Sequence, residues 1–166
     1  MEEDLKKSLL TLCEVLDHWK VRYMLNGGTA VALHGYYRHS MGPSGQLAAK
    51  PDIDLWFDPT YENYFDLLAA LEGMDCDVSE FKQELSPDPK RSFFKLDLGA
   101  FTLDVLPLIH ADIQFAGAYA RKEIVHLDGV PIHYIGFDDL MEDKKRSARK
   151  KDLEDIEQLK RSRNEE

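Results

Sequence analysis

Asp52 and Asp54 lie two residues apart in an otherwise apolar run at positions 51–58. In a β-strand successive side chains point to opposite faces, so the two carboxylates share one face while Ile53, Leu55 and Phe57 share the other and can enter a core. Side-by-side carboxylates repel, and neither keeps its charge in a half-buried place unless a cation lies between them. Mg²⁺, or Mn²⁺ in its stead, is the usual such cation where nucleotide phosphates are handled. By itself an Asp-x-Asp pair also fits a solvated strand end. A third acid, Asp104, stands in the later apolar run at 101–107, where a neighbouring strand could bring it beside the pair.

Upstream, Asn26, Gly27, Gly28 and Thr29 follow a short buried strand expected at 21–25 and open a helical run at 30–37. Glycines let backbone N–H groups approach an anion with no side chain in the way, and the free N–H groups of a helix start carry partial positive charge. The same pair also serves as a plain tight connection. Near the C-terminus Lys144, Lys145, Arg146, Arg149, Lys150 and Lys151 gather six of the 21 basic residues. They read either as a solvated helix face paired with Glu154, Asp155 and Glu157 or as a place to receive an anionic substrate, with Arg149 and Lys151 the better candidates and Asp152 orienting them. The six histidines are scattered with no metal-ligand spacing, and only His39 merits a test. Tyr36, Tyr37 and Trp56 read as core aromatics or as rings that stack a base.

The elements that must position these groups alternate irregularly. Leu5, Leu9, Leu12, Leu16 and Trp19 recur every three or four residues and predict an amphipathic helix within 1–20. Residues 38–50 have turn composition and little periodicity, which reads as a loop. A helix is expected at 60–71 with Tyr61, Tyr64, Phe65, Leu68 and Leu71 inward and Gly73 at its end. Strands follow at 77–85, 92–98 and 101–107, then a short helix at 111–120. Residues 124–127 and 130–134 form a hairpin about Asp128-Gly129, a type I′ turn. Asp138 is the expected N-cap of C-terminal helices over 137–162 that bend near Ser147, with Leu153, Ile156 and Leu159 inward. The sum is an α/β (α+β) fold, a mixed sheet flanked by helices, in a single domain over 1–166.

With 166 residues the chain is long enough for a real core. Hydrophobic residues at 43% and charged residues at 31% exclude a disordered chain, and the lack of a long apolar run excludes a spanning helix. Cys13 and Cys76 form no ligand or redox motif, and with the acidic N-terminus they point to the cytoplasm. A formal charge of −10 argues against a broad electrostatic footprint for nucleic acid, while leaving room for a local one.

A strand leading to Gly27-Gly28 and a helix, then Asp52-x-Asp54, then Asp104 in a later strand, resembles the nucleotidyltransferase superfamily in its minimal form. Within it the pattern is similar to small bacterial proteins of the abortive-infection toxin type: Gly27, Gly28, Gly35, Arg38, Asp52 and Asp54, then Lys145, Arg149, Lys151, Asp152 and Asp155. The chain departs from that pattern in the longer loop after Arg38 and in Pro51 directly before Asp52. The resemblance implies transfer of a nucleoside monophosphate from an NTP to a hydroxyl, with Asp52, Asp54 and Asp104 as metal-binding and catalytic acids and Asp104 as general base. It implies nucleotide contacts from Gly27, Gly28, Thr29, Arg38, Lys145, Arg149 and Lys151. The acceptor is open among a small molecule, an RNA end such as that of tRNA, and a protein. The alternative is a non-catalytic nucleotide-binding protein, or a partner in a two-component toxin-antitoxin-type system.

Overall fold

The leucines at 5, 9, 12 and 16 are all buried, and the helix they define, α1, spans Glu3–His18. Each contributes roughly 2 kcal/mol of transfer free energy, so burial rather than helix propensity holds α1 in place. Trp19, expected on that stripe, falls just beyond the helix and is 42% exposed. The structure is a computed structural model describing residues 2–35 and 50–164.

Six strands make one mixed sheet in the order β3-β4-β2-β1-β6-β5. They are β1 (Tyr23–Asn26), β2 (Asp52–Phe57), β3 (Phe94–Asp97), β4 (Thr102–Leu106), β5 (Glu123–Leu127) and β6 (Val130–Tyr134). β2 runs parallel to β4, and β1 to β6; the other three pairings are antiparallel. The β5–β6 hairpin turns at Asp128 and Gly129, with φ of 48° and 82°, the two positive values a type I′ turn requires.

Strand alternation splits the core in two. Ile53, Leu55 and Phe57 pack with α1 and with α3 (Tyr61–Gly73) on one face. On the other face Trp56 packs with α2 (Gly27–Leu33), α5 (Phe115–Ala120), α6 (Phe137–Ser147) and α7 (Lys150–Asn164). Asp52 and Asp54 share the face of Trp56. Asn63, wholly buried on α3, accepts the Arg22 N–H at 2.7 Å and donates to the Arg22 and Asp58 carbonyls, both at 2.9 Å. It satisfies the backbone where β1 begins and β2 ends.

Several local expectations are corrected. Residues 77–85 hold no strand: Asp77 accepts the Ser79 N–H and starts the one-turn helix α4 (Ser79–Lys82). Tyr61 and Phe65 face outward, 60% and 48% exposed, because the helix presents Asn63, Leu67 and Ala70 inward with Tyr64, Leu68 and Leu71. The short helix starts at Phe115 rather than 111, and α6 is capped at Gly136, not Asp138. The bend near Ser147 is a full break, with Ala148 in the left-handed region. Leu153 is exposed, and Asp152 and Asp155 take the buried face of α7 instead. The expected loop with Arg38 and His39, and Tyr36 and Tyr37, lies outside the described residues.

Candidate active site

Parallel pairing of β2 with β4 sets Asp54 directly beside Asp104, and Asp52 beside Thr102. Directly paired residues point to the same face, so all three acids project together, and one oxygen from each lies within 4.8 Å of the others. Asp54 and Asp104 are half-buried, and Asp52, at the start of β2, is the most open to solvent. Thr102 donates its hydroxyl to Asp52 at 2.6 Å, and Lys95 on the next strand reaches Asp104 at 3.5 Å. Burial, then the charges of Asp104 and Asp52 and a hydrogen bond with Asp104, push the Asp54 carboxyl up to about 7, against a smaller opposing pull from Lys144. Three crowded carboxylates that cannot all ionise alone are a donor set for a hard divalent cation: all-oxygen and incomplete without positive charge.

Gly27 is required by this cluster. It sits at φ +60°, and a Cβ added there would run into the Asp54 carboxylate. A Gly27→Ala substitution is therefore expected to fold with modest loss, about 1–2 kcal/mol for the left-handed backbone, but to displace Asp54. Its apparent Mg²⁺ affinity, read from the Mg²⁺-dependent rise in melting temperature, should fall at least about tenfold. Gly28 is half-buried and follows directly in α2, while the Thr29 side chain is buried.

Asn26 lies opposite Asp54 on β1, so Asn26, Asp54, Asp104 and Lys95 form a polar row across four strands. Asn26 donates its amide to Asp143 of α6 at 3.1 Å, and Asp143 also accepts the N–H groups of His110 and Ala111 at 2.6 and 3.0 Å. That buried carboxylate ties α6 to β1 and to the segment after β4.

Of the basic residues, Lys144 and Arg149 line a cleft of about 160 Å³ together with Gly27, Asp54 and Phe93. Lys144, open in the sequence between a solvated face and a substrate contact, is buried and donates to Asp152 at 3.1 Å and Asp155 at 3.0 Å. Arg149 bonds Asp152 at 2.8 Å. Burial alone would raise the Asp152 carboxyl, but hydrogen bonds from Arg149, Ser147 and Lys144 and the Lys144 charge hold it well below its ordinary value. Lys145 instead pairs with Glu142 on the exposed side of α6, and Lys151 is exposed on α7. Trp56 is fully packed, with its indole N–H on the Pro107 carbonyl, and offers no face for a base.

No protein-family model matches the sequence, and no curated protein matches it. The mixed sheet, its helices and the two C-terminal helices together make a nucleotidyltransferase-like fold. The chain is similar to the antibiotic-resistance factor ANT(2'')-Ia, an aminoglycoside nucleotidyltransferase, at a TM-score of 0.59 and 19% identity over 98% of this chain and 85% of that one. It is also similar to an antigenic nucleotidyltransferase-like protein from Paracoccidioides brasiliensis, at a TM-score of 0.53 and 14% identity over 95% and 76% of the two chains.

Proposed function

We propose that the protein transfers a nucleoside monophosphate from an NTP to a hydroxyl acceptor, at a site built on Asp52, Asp54 and Asp104. The observation that carries this reading is the convergence of three acids from paired strands beside a glycine that only an absent side chain allows. These carboxylates would hold Mg²⁺ or Mn²⁺, which supplies offsetting charge for the triphosphate and lowers the pKa of an oxygen nucleophile. Asp104, at the side of the cluster nearer the sheet edge, is the general base that takes the proton of the acceptor hydroxyl as its oxygen bonds the α-phosphorus and pyrophosphate leaves. The Gly27-Gly28 backbone approaches the phosphates closely, and Thr29, buried in α2, is assigned to a nucleotide contact only through the superfamily pattern. Lys144 and Arg149 line the same cleft as Gly27 and Asp54, where they place positive charge near the phosphates. Arg38, Lys145 and Lys151 are assigned to nucleotide contacts only through the superfamily pattern.

Transfer is tested by incubating the protein with each NTP labelled at the α-phosphate, Mg²⁺ and a cell extract from which small molecules, RNA and protein are then separated. Label on an acceptor from one pool is the expected result. Mg²⁺-dependent stabilisation by an NTP with no labelled acceptor would favour the non-catalytic or toxin-antitoxin-type alternative, and absence of both would overturn nucleotide binding itself. Among the described residues no helix is long and apolar enough to cross a membrane.

A further inference from the structure

The sheet edge beside Asp104 opens with a short basic run that carries two adjacent aromatic rings. Residues 90–95 read Lys-Arg-Ser-Phe-Phe-Lys, three cations and no acid, in a protein of net charge −10. They run from the short 3-10 turn at Pro89–Arg91 into β3. Lys95 is paired in register with Asp104, and strand alternation puts Phe93 on the same face. Phe94 and Leu96 point the other way, into the core behind the sheet. No helix of the described residues covers the outer row: Phe93 is 53% exposed, the Lys95 side chain 64%, and Lys90 and Arg91 are exposed without an ion-pair partner among the described residues.

This row meets the acid cluster at Lys95, which reaches Asp104, and at Phe93. Phe93 lines the cleft that holds Asp54 and Lys144, and Lys90 lines a second cleft of about 440 Å³ walled by Trp56, Pro107, Leu108 and Phe115. Leu108 borders both clefts. Gly27 directly follows β1, whereas Arg91 and Phe93 lead into β3 and Lys95 lies on it, so in the strand order the glycine and the basic edge flank the acids of β2 and β4 from opposite sides. The β1 side has the close backbone approach a triphosphate needs. The β3 side has separated cations with an exposed ring between them, the arrangement that tracks a phosphate backbone and stacks a base.

Resting on the nucleotidyl-transfer reading, we infer that the acceptor binds along β3 and is a phosphate ester bearing a planar base, a mononucleotide or the end of an RNA strand, whose phosphate meets Arg91 and Lys95 and whose ring lies on Phe93. Its free hydroxyl then faces Asp104. Lys95 also guards a sheet edge against pairing with other chains, a role that needs charge but no ring and no ligand.

The test uses the full chain without NTP, so it succeeds or fails separately from nucleotidyl transfer. A short fluorescein-labelled oligouridylate is titrated and its anisotropy recorded over a range of salt. The wild type is expected to bind, with Phe93→Ser about tenfold weaker and Arg91→Gln/Lys95→Gln weaker by at least about fivefold and with a shallower salt slope, by about 0.7 per lost phosphate contact. A surface control, Lys82→Gln, removes a cation paired with Glu72 elsewhere and should bind as the wild type does. Competition by AMP at concentrations comparable to the oligomer identifies a mononucleotide acceptor, and absence of competition identifies a strand end. No binding by the wild type, or equal binding by the edge variants and the control, overturns the inference.

Discussion

Asp54→Asn is expected to lower nucleotidyl transfer by at least about a thousandfold and to remove all stabilisation by Mg²⁺ and NTP, while the metal-free protein folds as before. The side chain keeps its volume and loses one charge from a cluster whose oxygens lie within 4.8 Å of each other. The metal-free effect has the opposite sign from the usual cost of a site mutation. Folding raises the Asp54 carboxyl from 3.8 to about 7, so the folded state holds a proton that the unfolded state releases across that interval. The associated stability is complete below about 3.8, declines as pH rises, and is gone above about 7. Metal-free Asp54→Asn should therefore match the wild type only below about 3.8, draw ahead of it as pH rises from there, and exceed it above neutrality by an amount on the order of 4 kcal/mol. A divalent cation displaces that proton, so Mg²⁺ should stabilise the wild type more above neutral pH than in mild acid and leave the variant unchanged. Chemical denaturation with and without Mg²⁺ across that range reads all of this. Unchanged transfer by the variant would remove Asp54 from the site.

The meeting of Asp52, Asp54 and Asp104 was open to a sequence reading because it depends on two regularities: the two-residue period of a strand and the pairing of two apolar runs. The row to which Asp54 and Asp104 belong was not. Lys95 joins it only through the antiparallel register of β3 with β4, and Asn26 only through β1 with β2, pairings that residue patterns leave open. The strand expected at 77–85 failed because Val78 and Phe81 sit three apart with Asp77 as a local acceptor, a helical turn read at the wrong period. On α3 the inward set was shifted by Asn63, since a polar residue at zero exposure is legible only once the carbonyls of Arg22 and Asp58 are known to need donors. The same default, charge to solvent and leucine to core, misplaced Leu153 and gave no sign that Asp155, or Asp152 with its bond to Arg149, would be buried. A signal was present there: positions 152, 155, 156 and 159 follow the spacing of one helix face, so Ile156 and Leu159 carry the two aspartates inward. The partner of that pair, Lys144, lies on the preceding helix beyond the break at Ala148.

Lys144→Met is expected to cost roughly 3–5 kcal/mol, the largest stability loss of any change near the cleft. Its side chain is 5% exposed, and those of Asp152 and Asp155 are wholly buried. Methionine retains most of the volume, so packing changes little and the loss is electrostatic. Arg149 still serves Asp152 after the substitution, whereas Asp155 loses its 3.0 Å contact with the Lys144 ammonium. For a chain of this length the loss corresponds to a fall in melting temperature of roughly 10 °C. It should appear without metal or NTP, which separates it from any effect on the phosphates. Adding Asp155→Leu to Lys144→Met removes the carboxylate as well and should restore part of the stability, since replacing both members of a buried pair costs far less than removing one. The doubly changed protein should remain deficient in transfer, because the cleft then lacks the cation that also opposes protonation of Asp54. Recovery of stability without recovery of transfer assigns Lys144 two separable roles: it joins α6 to α7 through their buried charges, and it turns that joint into the positive wall of the cleft.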